Sequence, residues 1–422
     1  MKLFFYKSLV VAFVAATLLM LVSCHKDKPQ CNRVVSTKLY KPVYMSMEKF
    51  RSSIKVEPPH TITTTGKIFL YEHYLLVNEP YKGVHIIDNR VPSAPVPIAF
   101  INIMGNVDIA VKDNVLYADS YIDMVTLDIS DPTHVSEIGR VKEVFPRNAY
   151  VGDLKGYGPE GLVVDVTVKD TVYETSCDGY TNGFFLYSSN DGKVYASSNT
   201  PPTAKGGSMA RFAIMNNYLY AVDHIALQTF DISNPKAPVT KGTTVIGPAI
   251  ETIFPYRNNL FIGSQVGMFI FDASNPANPV RKGAFSHARQ CDPVVIEGDI
   301  AYVTLRGGTN CGGVNNQLDV LDVKDISNPK LIRSYPMTNP HGLGIDNGKL
   351  FICEGKAGLR FLTATQPATI TTVKLLEGPN TFDVIPHNNV LLVSAEDGIY
   401  QYDYSQMASP VLLSKLNLSV KR

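Results

Sequence analysis

The sequence predicts an all-β fold: a β-propeller of seven four-stranded blades, with one long insertion after the second blade. Three observations predict it. A unit of short apolar strands and polar turns recurs along the chain, its third strand ends in Asp before a Pro-bearing turn, and the anchors recur near a fixed period. They are Asp88, Asp128, Asp231, Asp272, Asp322, Thr363 and Asp403, spaced 40, 103, 41, 50, 41 and 40 residues apart. A period near 40 with several strands per unit is the signature of propeller blades, which bury both faces only by stacking around an axis. The two long intervals locate a large insertion at 143–208 and a smaller one around Gly307 to Asn316.

Taken in order, residues 1–23 read as an export signal. Lys2 and Lys7 form a basic start, and Ser8 to Val22 carries no charge. That run is short for a membrane span, which needs roughly 20 apolar residues, and fits a signal peptide. It ends in Leu21-Val22-Ser23-Cys24, a tetrad that resembles the lipobox of bacterial lipoproteins, with Cys24 as the lipidated residue. Residues 24–60 lack the blade pattern and read as a polar tether; Met47, Phe50 and Ile54 give a short helix within Met45 to Ile54. Whether the ring closes by packing of the end blades or by a strand from Cys31 to Tyr44 is left open.

The propeller occupies 61–422. Its clearest units pair Tyr218–Val222 with Leu227-Gln-Thr-Phe-Asp-Ile-Ser-Asn-Pro, and Leu260-Phe-Ile-Gly with Met268-Phe-Ile-Phe-Asp-Ala-Ser-Asn-Pro. The Asp-x-Ser-Asn-Pro turns are read as structural, because Asp and Asn bond their own backbone and Pro ends strand pairing. In the insertion, Gly161 to Glu174 alternates apolar and polar residues and reads as a strand or hairpin, and Asn199 to Gly207 is loop-like.

At this point the repeat itself is informative. Phe230-Asp-Ile-Ser-Asn-Pro-Lys-Ala-Pro-Val and its relatives resemble the LVIVD repeat of bacterial and archaeal exported proteins. Pro42-Val-Tyr-Met-Ser-Met-Glu-Lys-Phe-Arg-Ser, Lys82-Gly-Val-His-Ile-Ile-Asp-Asn and Gly105-Asn-Val-Asp-Ile-Ala-Val are similar to LVIVD lipoproteins of the Bacteroidetes. The resemblance implies a propeller held at the bacterial cell envelope, on the outer membrane, and implies no particular activity. Thr363 and the copy around Gln401 depart from the pattern.

Composition narrows the partners. With 39 basic and 38 acidic residues the chain is nearly neutral, and it has no Lys/Arg-rich run, so nucleic acid is not an expected partner. The absence of Trp weakens a carbohydrate-stacking reading, although 22 Tyr remain. No CxxC, HExxH, P-loop or GxGxxG motif occurs, and no metal or cofactor is expected. Gly206-Gly-Ser208-Met-Ala mimics a nucleophile elbow only loosely, since a strand follows it where a helix is required.

Both insertions fall on the face shared by the B–C loops and the blade-to-blade connections. Residues opening the first strands should ring the channel mouth there: Asp108, Arg211, Glu251, Asp292, His341 and Asp383, with Tyr121, Arg306, Glu354 and Glu79 among those added by the B–C loops. Asp108, Tyr121, Arg211, Glu251, Asp292, Arg306, His341 and Glu354 are the candidate ligand-binding set, against the plainer reading of a solvated funnel. Cys291 and Cys311 are a candidate disulfide bracing the smaller insertion. The leading expectation is a non-catalytic binding or scaffold module, anchored to the membrane by its lipid and engaging a protein, peptide or glycan. The alternative is a hydrolase or lyase with its site assembled from several blades at the mouth.

Overall fold

The computed structural model describes residues 32–146, 150–151, 154–176, 205–286, 293–308 and 315–419. Among them, seven four-stranded antiparallel meanders follow one another, at 68–102, 109–141, 212–245, 250–286, 294–336, 343–376 and 381–417. The architecture is the expected β-propeller.

Each blade is made by the same local chemistry. Strands A and B are joined by tight turns, several with both central residues at positive φ: Asp113-Asn114, Asn347-Gly348 and Asn388-Asn389. That is the type I′ geometry, whose twist suits the flanking strands and which Asn and Gly tolerate best. Strands C and D are joined by the Asp turn. Six anchors accept a hydrogen bond from the backbone N–H two residues on, as from Ser233 to Asp231 at 3.0 Å and from Ser405 to Asp403 at 2.7 Å. Hydrogen bonds within the turn hold Asp128, Asp231, Asp272 and Asp403 below the usual carboxylate range; for Asp231 the value falls to about 2. All seven C–D pairings also carry a register shift, such as Thr229/Phe230 and Ile270/Phe271. A bulge adds local twist and turns the outer strand away from flat edge-to-edge pairing.

Stacking buries what one blade leaves open. The first two blades share a core through Leu76, Ile86, Ile109 and Val125. The fifth and sixth meet at Val320, Leu350 and Ile352, and the sixth and seventh at Phe351, Phe361, Val393 and Tyr404. The ring closes by packing of its end blades: Ile68, Leu75 and Val77 of the first lie against Ile385, Leu392 and Ile399 of the seventh. The outer D strands stay exposed, as in Val239–Val245.

Two stretches read as tether are built into this unit. Lys55–Glu57 extends the outer edge of the first blade by pairing with Val96–Asn102. The expected helix forms at Met47–Arg51, capped by Ser46 Oγ accepting from Lys49 N. Its Phe50 is fully buried, edge-on to Tyr121, and Arg51 is fastened to Asp123 of the second blade at 2.8 Å. A second compact unit comprises 1–44 and 163–188. In its described part, the strand Asn32–Met45 pairs with Gly161–Ser176, in agreement with the alternating pattern there. Cys24, Cys291, Asp292 and Cys311 lie outside the described residues.

Candidate functional site

A charged residue stands just before the first strand of each of the first two blades. These are Lys67 and Asp108, both almost wholly buried and in direct salt-bridge contact. Burial pushes the Lys67 ammonium down and the Asp108 carboxyl up, while their contact pulls each back. Asp108 also accepts from the backbone N–H of Ile109, Arg211 and Phe212. Beside it, Asp119 Oδ1 accepts from Val107 N, Asp108 N and Asn106 Nδ2 at 2.8 to 2.9 Å. Burial nevertheless raises Asp119 to about 6.

The axis at this level is filled by the protein's own chain. The last residues of the long insertion cross it before entering the third blade. Lys205–Gly206 pairs with the inner edge of the first blade, at Leu70 and Phe69. Ser208 N donates to Asp383 Oδ1 of the seventh blade at 2.9 Å, and Ser208 Oγ accepts from Leu343 N of the sixth at 2.6 Å. The Ala210 carbonyl accepts from Ile253 N of the fourth, and Arg211 N reaches Asp108 of the second. Gly207, Ser208, Met209 and Ala210 are all buried.

Asp383 shows what this crossing requires. Its Oδ1 holds Ser208 and Val384 N, while its Oδ2 is buried without a hydrogen-bond partner among the described residues. Burial pushes the carboxyl up to about 8, so at neutral pH it is largely protonated, the state that costs least to bury. A Cβ on Gly207 would sit 1.9 Å from Asp383 Oδ2, so only glycine lets the crossing backbone approach this closely.

The mouth residues singled out from sequence therefore divide. Asp108, Arg211 and Asp383 are brought together, but the groups that engage Asp108 and Asp383 are Lys67 and the chain's own backbone. Glu251 is raised by burial and held by Gln265 Nε2 at 2.8 Å, with Arg306 and Arg211 acting on it electrostatically. His341 is lowered to about 3 by burial and by Arg306, and lies edge-on to Phe382. It stays neutral at physiological pH. Glu354 is fully buried and gripped by Arg360 at 3.1 and 2.7 Å, which makes it a strut inside the sixth blade. Tyr121 adopts positive φ and lies over Gly105 and beside Phe50, bracing the docked helix. Cys353 is a buried thiol in the core between the last two blades.

Lys67, Asp119 and Ser208 were missed or set aside. Lys67 had a usable signal: it stands in the register position before Ile68 that Asp108 occupies before Ile109. Ser208 had none, because its role depends on blades more than a hundred residues away.

Two grooves open at the seam of the first and seventh blades. One, of about 290 Å³, lies on the Asp-turn face among His73, Arg90 and His387. The other, of about 490 Å³, lies on the opposite face among Thr63, Asn380, Glu396 and Asp397. Next to Thr63 is a cluster of His60, Glu79 and His85, in which one ligand atom from each residue lies within 4.8 Å of the others.

Comparison with known proteins bears on the scaffold. The LVIVD repeat model matches residues 106–143, 206–245, 256–286 and 288–337, so the chain carries LVIVD repeats in four stretches. No curated protein is significantly similar in sequence. Among solved structures, the Pseudomonas aeruginosa periplasmic gluconolactonase PpgL is 9% identical, with TM-score 0.54 over 84% of this chain and 96% of that one. A Lactobacillus plantarum protein is 12% identical, with TM-score 0.54 over 84% and 97%. PorZ, a surface component of the Porphyromonas gingivalis type-IX secretion system, is 13% identical with TM-score 0.48 over 87% of this chain. The chain spans 40% of the length of PorZ. At such low identity these likenesses concern the fold.

Proposed function

We propose that this protein is an envelope lipoprotein, tethered through Cys24, whose propeller is a non-catalytic binding or scaffold module for a protein, peptide or glycan. The observation that carries the reading is the use of the mouth. Residues 205–211 fill the axis, and Asp108, Asp119, Ser208 and Glu354 are each engaged by several groups of the chain itself. Chemistry assembled at the mouth would need those groups turned toward a substrate. Binding through the loops of the elaborated face needs only a rigid support beneath them. Among the described residues no helix is long and apolar enough to cross a membrane.

The reading has two separable tests. Metabolic labelling with palmitate should mark the full chain and not Cys24→Ala, and Cys24→Ala should leave the membrane fraction. Crosslinking in intact cells should trap the parent to an envelope component through photoreactive residues placed in the B–C loops at Lys356 and Glu396, and not through residues placed in the Asp turns at Asn234 and Asn275. Equal trapping from both faces would defeat the face assignment. The alternative, a hydrolase or lyase, has one observation in its favour: the protonated Asp383 carboxyl beside Ser208. It predicts a lactone- or ester-cleaving activity that Asp383→Asn abolishes.

A further inference from the structure

The cluster at the outer part of the first blade takes no part in the crossing at 205–211. His85 lies on strand Gly83–Asp88, Glu79 ends the preceding strand Tyr74–Glu79, and His60 comes from the segment that leads into the blade. His85 Nε2 is 2.8 Å from Glu79 Oε2, and the His60 ring packs against His85 with centroids 4.8 Å apart. Glu79 and His85 are buried and His60 is exposed.

The two oxygens of Glu79 have different tasks. Oε1 takes the hydroxyl of Thr63 and the ammonium of Lys82, which fix the carboxylate plane, while Oε2 faces His85. His60 Nδ1 lies 3.2 Å from the Thr61 carbonyl; donating there leaves Nε2 as the nitrogen with the lone pair. A ring nitrogen tied to a carbonyl with the other left bare is the usual preparation of a metal-binding histidine.

We propose that His60, Glu79 and His85 form a binding site for a divalent transition-metal ion of the zinc class, with a further coordination position left for water or a ligand. Two imidazoles and one carboxylate are a donor set that zinc accepts, at roughly 2.0–2.2 Å per bond. Tetrahedral placement puts neighbouring donors ~3.4 Å apart. The His85–Glu79 pair therefore opens by about half an ångström, and the exposed His60 swings in to complete the set. Thr63 links the site to the neighbouring groove, since it lines that groove and also donates to Glu79. Lys82 opposes the ion. Its ammonium neutralises Glu79, but the side chain is about half exposed, at 53 %, and can withdraw into water when the metal arrives.

The experiment uses the full chain in mild detergent, stripped with a chelator and titrated with zinc chloride by calorimetry, with cobalt(II) absorption as a second readout. One saturable zinc per chain is expected. His60→Ala, which changes an exposed side chain, should weaken it by about tenfold or more. Lys82→Gln should tighten it severalfold, an effect that a purely structural Glu79–His85 contact does not produce. The cobalt complex should show ligand-field bands without a thiolate charge-transfer band. Absence of a saturable site, titrations by His60→Ala and Lys82→Gln that match the parent, or a thiolate band that assigns the metal to cysteine would each overturn the proposal.

Discussion

At the end of the blades where strands C and D meet, six aspartates make the same bond to the same backbone position. At the opposite end the polar arrangements differ between blades, except that Glu354 with Arg360 repeats the register of Glu79 with His85. Lys67 meets Asp108, Asp383 meets Ser208, Glu354 meets Arg360, and Glu79 meets His85. The contrast is between local and distant chemistry. An Asp turn is complete within three residues, so it can be copied with every repeat. The polar centre of the other face joins residues 41 to 175 positions apart. Repetition builds the support, and the individuality of the molecule is confined to one side of it.

The largest effect should come from removing one partner of the buried pair on the irregular side. Lys67→Met removes the cation in contact with Asp108, and breaking such a pair costs about 3–5 kcal/mol. Urea denaturation should show this; a loss below 1 kcal/mol would mean that the backbone donors alone satisfy Asp108. Next is Gly207→Ala, whose methyl group would collide with Asp383. Overpacking of that kind costs ~1–3 kcal/mol, and Gly242→Ala, on an open outer strand, should cost less.

The third effect depends on pH. Asp383 titrates near 8 when folded and near 3.9 when unfolded, so the folded state holds the extra proton between those values. Its contribution is full below about pH 4 and declines as pH rises toward 8, by at most ~1.4 kcal/mol per pH unit. Asp119, raised to about 6, acts in the same direction over a narrower window. The urea midpoint of the parent should therefore fall between pH 5 and 8, and Asp383→Asn should flatten that fall. A parallel decline in both proteins would remove Asp383 from the account.

The smallest effects belong to the regular side. Asp231→Ala should cost about 1 kcal/mol, the net worth of one such hydrogen bond. Thr363→Asp, which restores the anchor that the sixth blade lacks, should add roughly 0.5 kcal/mol. Thermal denaturation of both variants would show whether the repeat is as modular as it looks.

How much was legible follows the same division. Asp128-Ile-Ser-Asp-Pro and its copies carry their own explanation, so blade architecture, strand order and turn chemistry could be read directly. That Asp108, Arg211 and Asp383 each open a first strand could also be read from the repeat. What they touch could not, because it depends on a segment that leaves the second blade and returns through the centre. Glu354 looked like a ligand at a loop because its partner Arg360 is on the facing strand, and opposite charges six residues apart in a hairpin give no sequence signal of burial. His60 and His85 were invisible as a pair, since the non-strand stretch 58–67 between Lys55–Glu57 and the first blade strand brings them together.

The crossing at 205–211 also sets an order of assembly. Its partners Leu343 and Asp383 lie 135 and 175 residues beyond Ser208. During synthesis or export, the first blades emerge long before those partners exist, and long-range closure of this kind is slow. The segment can be seated only when the seventh blade arrives, so it acts as a keystone: the last stone placed, and the one whose absence leaves the arch standing open to proteases and chaperones.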